Sequence, residues 1–592
     1  MRKVFTLFCV LMAAFFSIGV ANAQTTFQVS SSASEDAHWY VITLDNFIIS
    51  SADLDCANGG KFSMKSKSVI DAVKDASLWC IVGDDTNGYK LYNKAKVNGE
   101  YQILALNNSI TTYANKTTDE YGASRAKLVV SSTESSTADN ADGCAFDIRE
   151  KGASYPNIYC IRLHNTTNRY FNNRDNNLSY WQNDAAFNSA SAGSQVRFYE
   201  QDAYFDAKFA DSYTSLLLPG IGDNEAVSAA ESIAKTNRTY SALQEMQSAI
   251  SKVLATKYYR INNQRSNGIK QLATDGSNTP KMVSSANANR LVNAIWQFTL
   301  CDDGVKMTNV NNPGKFVAVL NDATNNGSVT NHLTTQEQGI KLVFSKFNNG
   351  KFCIKDGDGH LMNGEDGSSN NNYALNHWSS TNAWNNGNGF EGNQWDIVEA
   401  PSIEVALHEL DNKSYASVYL PFSISSVNAG VKAYVAKQPG TNEVTFTETT
   451  NGVMAENGFL LISDNAATTT AIVNIGESNT ESKMSGTLTN LDLRNADKSI
   501  YRVFGKNSNG EVGFFIPSGN LNEVKANRGY FTVSNGGALR LNFEDSVVSG
   551  IDAIAANQAL HNAPIFDLSG RRVMNTVKGG LYIQNGRKFI VK

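Results

Sequence analysis

The chain reads as a mainly β protein of several domains, on three observations. Charged residues make up only 18% of its 592 positions, whereas Gly (44), Tyr (23) and Phe (29) are plentiful. Apolar stretches are short and are broken by Asn, Ser and Gly, the punctuation of strands and turns. Helical periodicity is confined to one stretch, between about residues 224 and 257. At about 100 to 200 residues per domain, the length predicts roughly three to five units.

At the N-terminus, Arg2 and Lys3 precede an apolar run from Val4 to Val20, closed by Ala21-Asn22-Ala23. That is the positive, apolar, small-residue order of a secretory signal peptide, with cleavage expected after Ala23. The competing reading is a membrane anchor, but the run is short of the ~20 residues a span needs. No later stretch is apolar enough to span, so no membrane span is expected in the mature chain. Loss of Arg2 and Lys3 with the leader takes the formal charge from −5 to −7. Mild acidity without a Lys/Arg stripe argues against a nucleic-acid partner. Cys56, Cys80, Cys144, Cys160, Cys301 and Cys353 remain after the leader, an even set that permits disulfides in an exported chain. If pairing respects domains, Cys301 with Cys353 is the least ambiguous bridge; the alternative is that several are small buried thiols. No CxxC or Cys/His cluster has zinc spacing, so neither a metal site nor a cofactor is expected.

From about Thr26 to Phe205 the chain alternates short strands, such as 39–44, 78–82, 101–104, 127–130, 144–148 and 196–199, with polar turns. A second region, from about Tyr258 to Glu399, repeats the style. Leu78-Trp79-Cys80-Ile81-Val82-Gly83-Asp84-Asp85 leads to Gly88-Tyr89-Lys90-Leu91-Tyr92-Asn93, and Ile295-Trp296-Gln297-Phe298-Thr299-Leu300-Cys301-Asp302-Asp303 leads to Gly304-Val305-Lys306-Met307-Thr308-Asn309. Both are a Trp strand, an acidic turn and a Gly-x-Lys strand ending at Asn. Further on, Tyr159-Cys160-Ile161-Arg162-Leu163 precedes Asn168-Arg169-Tyr170-Phe171-Asn172, as Lys351-Phe352-Cys353-Ile354-Lys355 precedes Gly359-His360-Leu361-Met362-Asn363. The two regions are therefore two copies of one domain. The repeated unit, with Trp opening some strands, resembles the ricin-type β-trefoil, whose threefold repeat closes a barrel and removes its edges. Gln394-Trp395 looks like a remnant of that family's Gln-x-Trp signature without its spacer, and Trp79 and Trp296 lack the Gln.

Between the copies, Val227, Ala230, Ile233 and Ala234 form one helical stripe and Leu243, Met246, Ile250, Val253 and Leu254 another. Thr236, Asn237 and Thr239 interrupt them and offer caps for a second helix. A short helical hairpin joining the two domains is expected. After about Ser402 the strands 417–422, 431–434, 453–461, 501–504, 513–515 and 525–531 resemble a β-sandwich module that precedes sorting tails in secreted proteins of the Bacteroidetes. The end of the chain, Ile565-Phe566-Asp567-Leu568-Ser569-Gly570-Arg571-Arg572-Val573 and then Gly580-Leu581-Tyr582-Ile583-Gln584-Asn585-Gly586-Arg587-Lys588-Phe589-Ile590-Val591-Lys592, resembles the C-terminal sorting domain of the type IX secretion system. It reads as alternating strands with Asn585-Gly586 as a tight turn. The resemblance implies export by that machinery to the outer surface or the medium; a hairpin completing the neighbouring domain is the plainer alternative. The expected organisation is a signal peptide (1–23), a first trefoil-like domain (24–206), a helical linker (207–256), a second trefoil-like domain (257–400), a β-sandwich (401–547) and a linker with the small C-terminal β sorting domain (548–592).

No Gly-x-Ser-x-Gly, His-Glu-x-x-His or P-loop occurs. His408-Glu409-Leu410-Asp411 begins like a zincin but lacks the second His. Asp356-Gly357-Asp358-Gly359-His360, with Glu365 and Asp366 nearby, fails the EF-hand pattern at the fifth, sixth and twelfth positions and reads as a polar turn. A binding protein is expected rather than an enzyme. Aromatic rings beside amides and carboxylates suit sugars, since a flat ring covers a pyranose face while Asn and Asp pair with hydroxyls. Two segments have that character at matching places: Asn176 to Asp184, with Trp181, Asn183 and Asp184, and Asn376 to Asn386, with Trp378, Trp384 and Asn385. The alternative is that these tryptophans fill the cores of their domains. A glycan or polysaccharide is thus the expected partner. A host or surface protein bound by an adhesin, inhibitor or structural component is the rival, and a glycan-acting hydrolase comes third.

Overall fold

The computed structural model describes residues 27–45, 47–52, 64, 69–106, 126–130, 143–152, 155–166, 170–174, 177–181, 192–265, 270–274, 279–284, 290–319, 331–356, 359–365, 373–378, 391–544, 565–573, 577–584 and 587–591. The expected signal peptide and the Asn585-Gly586 turn lie outside them. The protein is mainly β, with several sheets, and divides into two compact units: Met1–Ile269, Gln297–Thr308 and Phe316–Glu399 in the first, and Lys270–Trp296, Asn309–Lys315 and Ala400–Lys592 in the second.

In the first unit, an eleven-stranded antiparallel sheet begins with Trp39–Leu44, which is buried along its whole length. This strand pairs with Leu78–Asp84 on one side and with the last strand, Val196–Glu200, on the other. Tyr259–Asn263 pairs in the same way with Trp395–Glu399, so the first strand of each β region is tied to its last. Burying both faces of such strands requires near-continuous apolar sequence, and Tyr40, Val41, Ile42 and Leu44 are fully inaccessible. Tyr40, Trp79, Phe146, Ile161, Phe171 and Phe198 converge in one core cluster.

Trp79 and Trp395, at the starts of their strands, are fully buried, and each sits in a polar clamp. The Trp79 indole donates to the Ile49 carbonyl at 2.7 Å, and the Asn93 amide donates to the carbonyls of Ala76 and Leu78 at 2.9 and 3.3 Å. The Asn93 oxygen accepts from the Ser51 hydroxyl and the Ala95 N–H. The Trp395 indole donates to Met362 at 3.0 Å, while Asn263 donates to Gly392 and Gln394 and accepts from the Arg265 N–H. In both cases a 3-10 turn runs into the Trp strand, Asp75–Ser77 or Glu391–Asn393, and the asparagine ties its carbonyls. A Cβ on Gly392 would collide with Asn363 Oδ1 and crowd Arg265, so this turn passes its neighbours only as glycine. Where the second region pairs Asn263 with Trp395, the first pairs Leu44 with Val196: one Trp–Asn clamp has become an apolar pair.

Helices fill residues 201–254 of the first unit. Gln201–Ser212 starts immediately after the last strand; Glu225–Asn237 is capped by Asn224, whose side chain accepts from the N–H groups of Ala226 and Val227, and Tyr240–Leu254 by Thr239. Arg238, between the latter two in left-handed conformation, forks onto the Asp206 carboxylate at 2.8 and 2.9 Å. Leu243, Met246, Ile250 and Leu254 are buried as expected, but Ile233 is 46% exposed. Seven residues close two helical turns and six do not, so Ala234 shares the buried face of Val227 and Ile233 points away.

The expected Cys301–Cys353 bridge does not form: Cys80, Cys144, Cys160, Cys301 and Cys353 are all thiols, and Cys56 lies outside the described residues. Cys353 packs with Phe347 and Leu361 instead. Burial pushes the Cys160 thiol up to about 11, which makes it an inert core residue rather than a nucleophile.

The second unit contains a third clamp of the same design. The Trp296 indole donates to Leu272 at 2.8 Å, and Asn309 ties the carbonyls of Asn293 and Ile295 while accepting from Asn311 N–H and the Thr274 hydroxyl. Its hairpin, Lys270–Thr274 with Pro280–Ser284, belongs to the unit that holds the ten-stranded and three-stranded sheets. Asn311 and Asn527 exchange side-chain hydrogen bonds at 3.2 Å, and Arg290 reaches Thr470 and Glu404. In the ten-stranded sheet Glu443–Thr449 runs parallel to Leu539–Glu544, and the other pairings are antiparallel. Arg502 is 1% exposed and is matched by the carbonyls of Ser499, Tyr501, Gly536 and Gly537. Near the C-terminus, Ile565–Phe566, Arg572–Val573, Leu581–Gln584 and Arg587–Ile590 form a four-stranded antiparallel sheet.

Asn93→Ala removes the amide donor shared by the Ala76 and Leu78 carbonyls, of which Ala76 keeps the Ser51 N–H at 2.8 Å. It is expected to cost about 2 kcal/mol, read as a lower denaturation midpoint at unchanged slope in urea; a shift below about 0.5 kcal/mol would show that the clamp does not hold the turn.

Candidate functional site

In the second β region, the strand Phe352–Lys355 turns at Asp356 into Leu361–Gly364, which pairs with Leu375–Trp378. The turn is closed by the Asp356 side chain: Oδ1 accepts from the His360 N–H at 2.8 Å, and the Asp356 N–H donates to the His360 carbonyl at 3.0 Å. This is the polar turn the sequence predicts, with Gly357 and Asp358 outside the described residues. The fold then brings up a residue 21 positions from Asp356. His377, on the paired strand, places Nδ1 at 2.7 Å from Asp356 Oδ2, and His360 Nδ1 approaches the same oxygen at 3.1 Å. The two rings meet edge to face, 5.0 Å between centroids. Asp356 and His377 are buried and His360 is half-buried. Burial alone would raise the Asp356 carboxyl, but the hydrogen bonds from the His377 ring, the His360 N–H and the His360 ring outweigh it and hold the group below the usual aspartate range.

A second buried polar group flanks the Trp395 clamp. Asn363 donates to Glu365 Oε1 at 2.6 Å, and Arg265 donates to the Gly364 carbonyl at 2.7 Å with the other Glu365 oxygen 3.8 Å away. In the first region the comparable charged cluster lies elsewhere, on the Phe146–Glu150 and Tyr159–Leu163 pair. Asp147 takes Arg162 Nη2 at 2.6 Å and His164 Nδ1 at 2.6 Å. Desolvation opposes its ionisation, yet the bonds from His164 and Arg162 prevail and lower its pKa.

Of the residues expected to meet a sugar, Asn183, Asp184, Trp384 and Asn385 lie outside the described residues. Trp181 and Trp378 are placed by their backbones: Trp181 stands opposite Tyr170 and Trp378 opposite Leu361, each at the end of the second strand of the corresponding hairpin. The Asp356–His360–His377 group was not legible in sequence, because nothing in the spacing of Asn376-His377-Trp378 announces which strand it pairs with. The only local sign was the Asp-Gly-Asp-Gly-His run itself.

Comparison with known proteins finds no matching protein family and no matching curated protein. Two solved structures align in part. One, described as "Structure and mode of action of a mosquitocidal holotoxin", is 11% identical, covers 92% of this chain and 54% of its own, and has a TM-score of 0.25. The other, a Polyporus squamosus lectin bound to a human-type influenza-binding epitope, is 18% identical over 25% of this chain and 50% of its own, with a TM-score of 0.19. The chain thus spans about half the length of each.

Because the folded Asp147 carboxyl titrates below its unfolded value, its stabilisation is complete above about pH 3.9 and is lost as pH falls through the lower folded value. Asp147→Asn is expected to reduce stability at pH 7 by about 2 kcal/mol and to flatten the loss below about pH 4. Thermal melts from pH 7 to pH 2.5 check both, and an unaltered acid limb would assign the acid sensitivity to other groups.

Proposed function

We propose that the protein is a secreted or surface-bound, non-enzymatic carbohydrate-binding protein. Two trefoil-like domains joined by a helical hairpin bind the glycan, a β-sandwich serves as stalk, and the C-terminal segment addresses the chain to the type IX secretion machinery. The observation that carries the binding reading is the shared register of Trp181 and Trp378 at the ends of equivalent hairpins, each leading into an Asn-rich segment. An aromatic face for the sugar ring, with Asn183 and Asp184 or Trp384 and Asn385 as hydroxyl partners, supplies the chemistry that pyranose recognition requires. Duplication has a physical use here. Two weak sites on one chain gain up to ~10²–10⁴ in avidity when the ligand is a polymer that spans both.

The full-length secreted chain is expected to bind selectively on a glycan array. Trp181→Ala or Trp384→Ala is expected to weaken binding to a polymeric ligand by at least ~10-fold, and the double variant to abolish it, with the melting temperature within about 2 °C of the parent. A fall of many degrees in the single variants would assign these rings to the core. Absence of binding by well-folded parent protein would overturn the glycan reading in favour of a protein partner.

A further inference from the structure

The Asp356–His360–His377 group does more than close a turn. From these three side chains we propose a binding site for a divalent transition metal of the zinc class, coordinated by one Asp356 carboxylate oxygen and one ring nitrogen from each histidine.

The geometry is the first argument. One ligand atom from each residue lies within 4.8 Å of the other two, and both Nδ1 atoms already converge on Asp356 Oδ2 at 2.7 and 3.1 Å. A zinc ion about 2.0–2.2 Å from each ligand sets neighbouring ligand atoms about 3 Å apart, so the cluster accepts it with small side-chain shifts. The donor set is the second argument: two imidazoles and a carboxylate suit zinc and its neighbours, whereas calcium and magnesium prefer oxygen. Such a set leaves a coordination position for water or a ligand oxygen.

The third argument is the state of His377. It is 5% exposed, and its Nε2 is a buried polar atom without a hydrogen-bond partner among the described residues. A structural His–Asp pair would be expected to satisfy both ring nitrogens, since a buried unmatched one costs about 1–3 kcal/mol. His377 is therefore held in a water-poor site with Nδ1 already beside the carboxylate oxygen that would share the metal. The Asp356 carboxylate, as a ligand, supplies negative charge that partly neutralises a dication. The coordination would also fasten the Asp356 turn to the strand that ends at Trp378, adding to the strand pairing and the ring-to-carboxylate bonds already there.

The test uses the untagged full-length protein, stripped with chelator and titrated with ZnCl₂ by calorimetry, alongside Co²⁺ absorption as a direct report of ligand geometry. The parent is expected to bind one equivalent with micromolar or tighter affinity and to give the visible bands of a four-coordinate Co²⁺ site. His377→Ala is expected to lose more than the ~10–100-fold that removing an outer partner costs. His360→Ala, at a half-buried position where misfolding is not at issue, is expected to lose affinity similarly and to change the Co²⁺ spectrum. His164→Ala, in the first β region, is expected to leave both unchanged. No saturable binding by the parent, or parental affinity and spectrum in His360→Ala, overturns the assignment.

Discussion

Satisfying the buried tryptophan indole is the constraint on which much of this structure depends. A Trp at the start of an inner strand contributes a large apolar area, but its N–H must find an acceptor in a place without water. In the clamps of Trp79, Trp296 and Trp395 the acceptor is a backbone carbonyl of another segment, which ties the two elements together. The turn leading into each Trp strand is buried too, and its carbonyls are claimed by Asn93, Asn309 or Asn263. Trp and Asn therefore act side by side, the indole on one carbonyl and the amide on the carbonyls at the start of the Trp strand. At the place where Asn263 faces Trp395 in the second region, the first has the apolar pair Leu44 and Val196.

Buried charge is handled in different ways in different parts of the molecule. Arg502 is surrounded by four carbonyls and no carboxylate, and burial pulls its guanidinium below its usual pKa. Asp147 is balanced by an arginine and a histidine on neighbouring strands. Asp356 has the two histidines, with a closed turn around it. The arginine is a scaffold device, fully matched by fixed backbone dipoles. In the Asp356 group, His377 Nε2 is a buried ring nitrogen with no hydrogen-bond partner among the described residues.

The proposed binding function rests on the hairpins. Trp181 and Trp378 end strands whose partners, Tyr170–Arg174 and Leu361–Gly364, are anchored in the interior by Phe171, Leu361 and Met362. The Asp356 cluster of the second region is adjacent in sequence and register to Trp378, whereas the Asp147 cluster of the first lies on the Phe146–Glu150 and Tyr159–Leu163 pair.

The sequence by itself determined the mainly β class, the duplicated Trp and Gly-x-Lys strands, and the helical stretch with its Thr239 cap, because these depend on period, punctuation and near neighbours. It placed Trp181 and Trp378 in matching segments for the same reason. It left the cysteines open, and only packing decided them, since Cys353 is enclosed by Phe347 and Leu361 while Cys301 remains partly accessible. The role of Asn93, Asn263 and Asn309 and the meeting of Asp356, His360 and His377 were decided entirely by tertiary structure. Each depends on carbonyls or rings brought across strands from distant positions, and strand pairing is set by the whole sheet, not by any local pattern of residues.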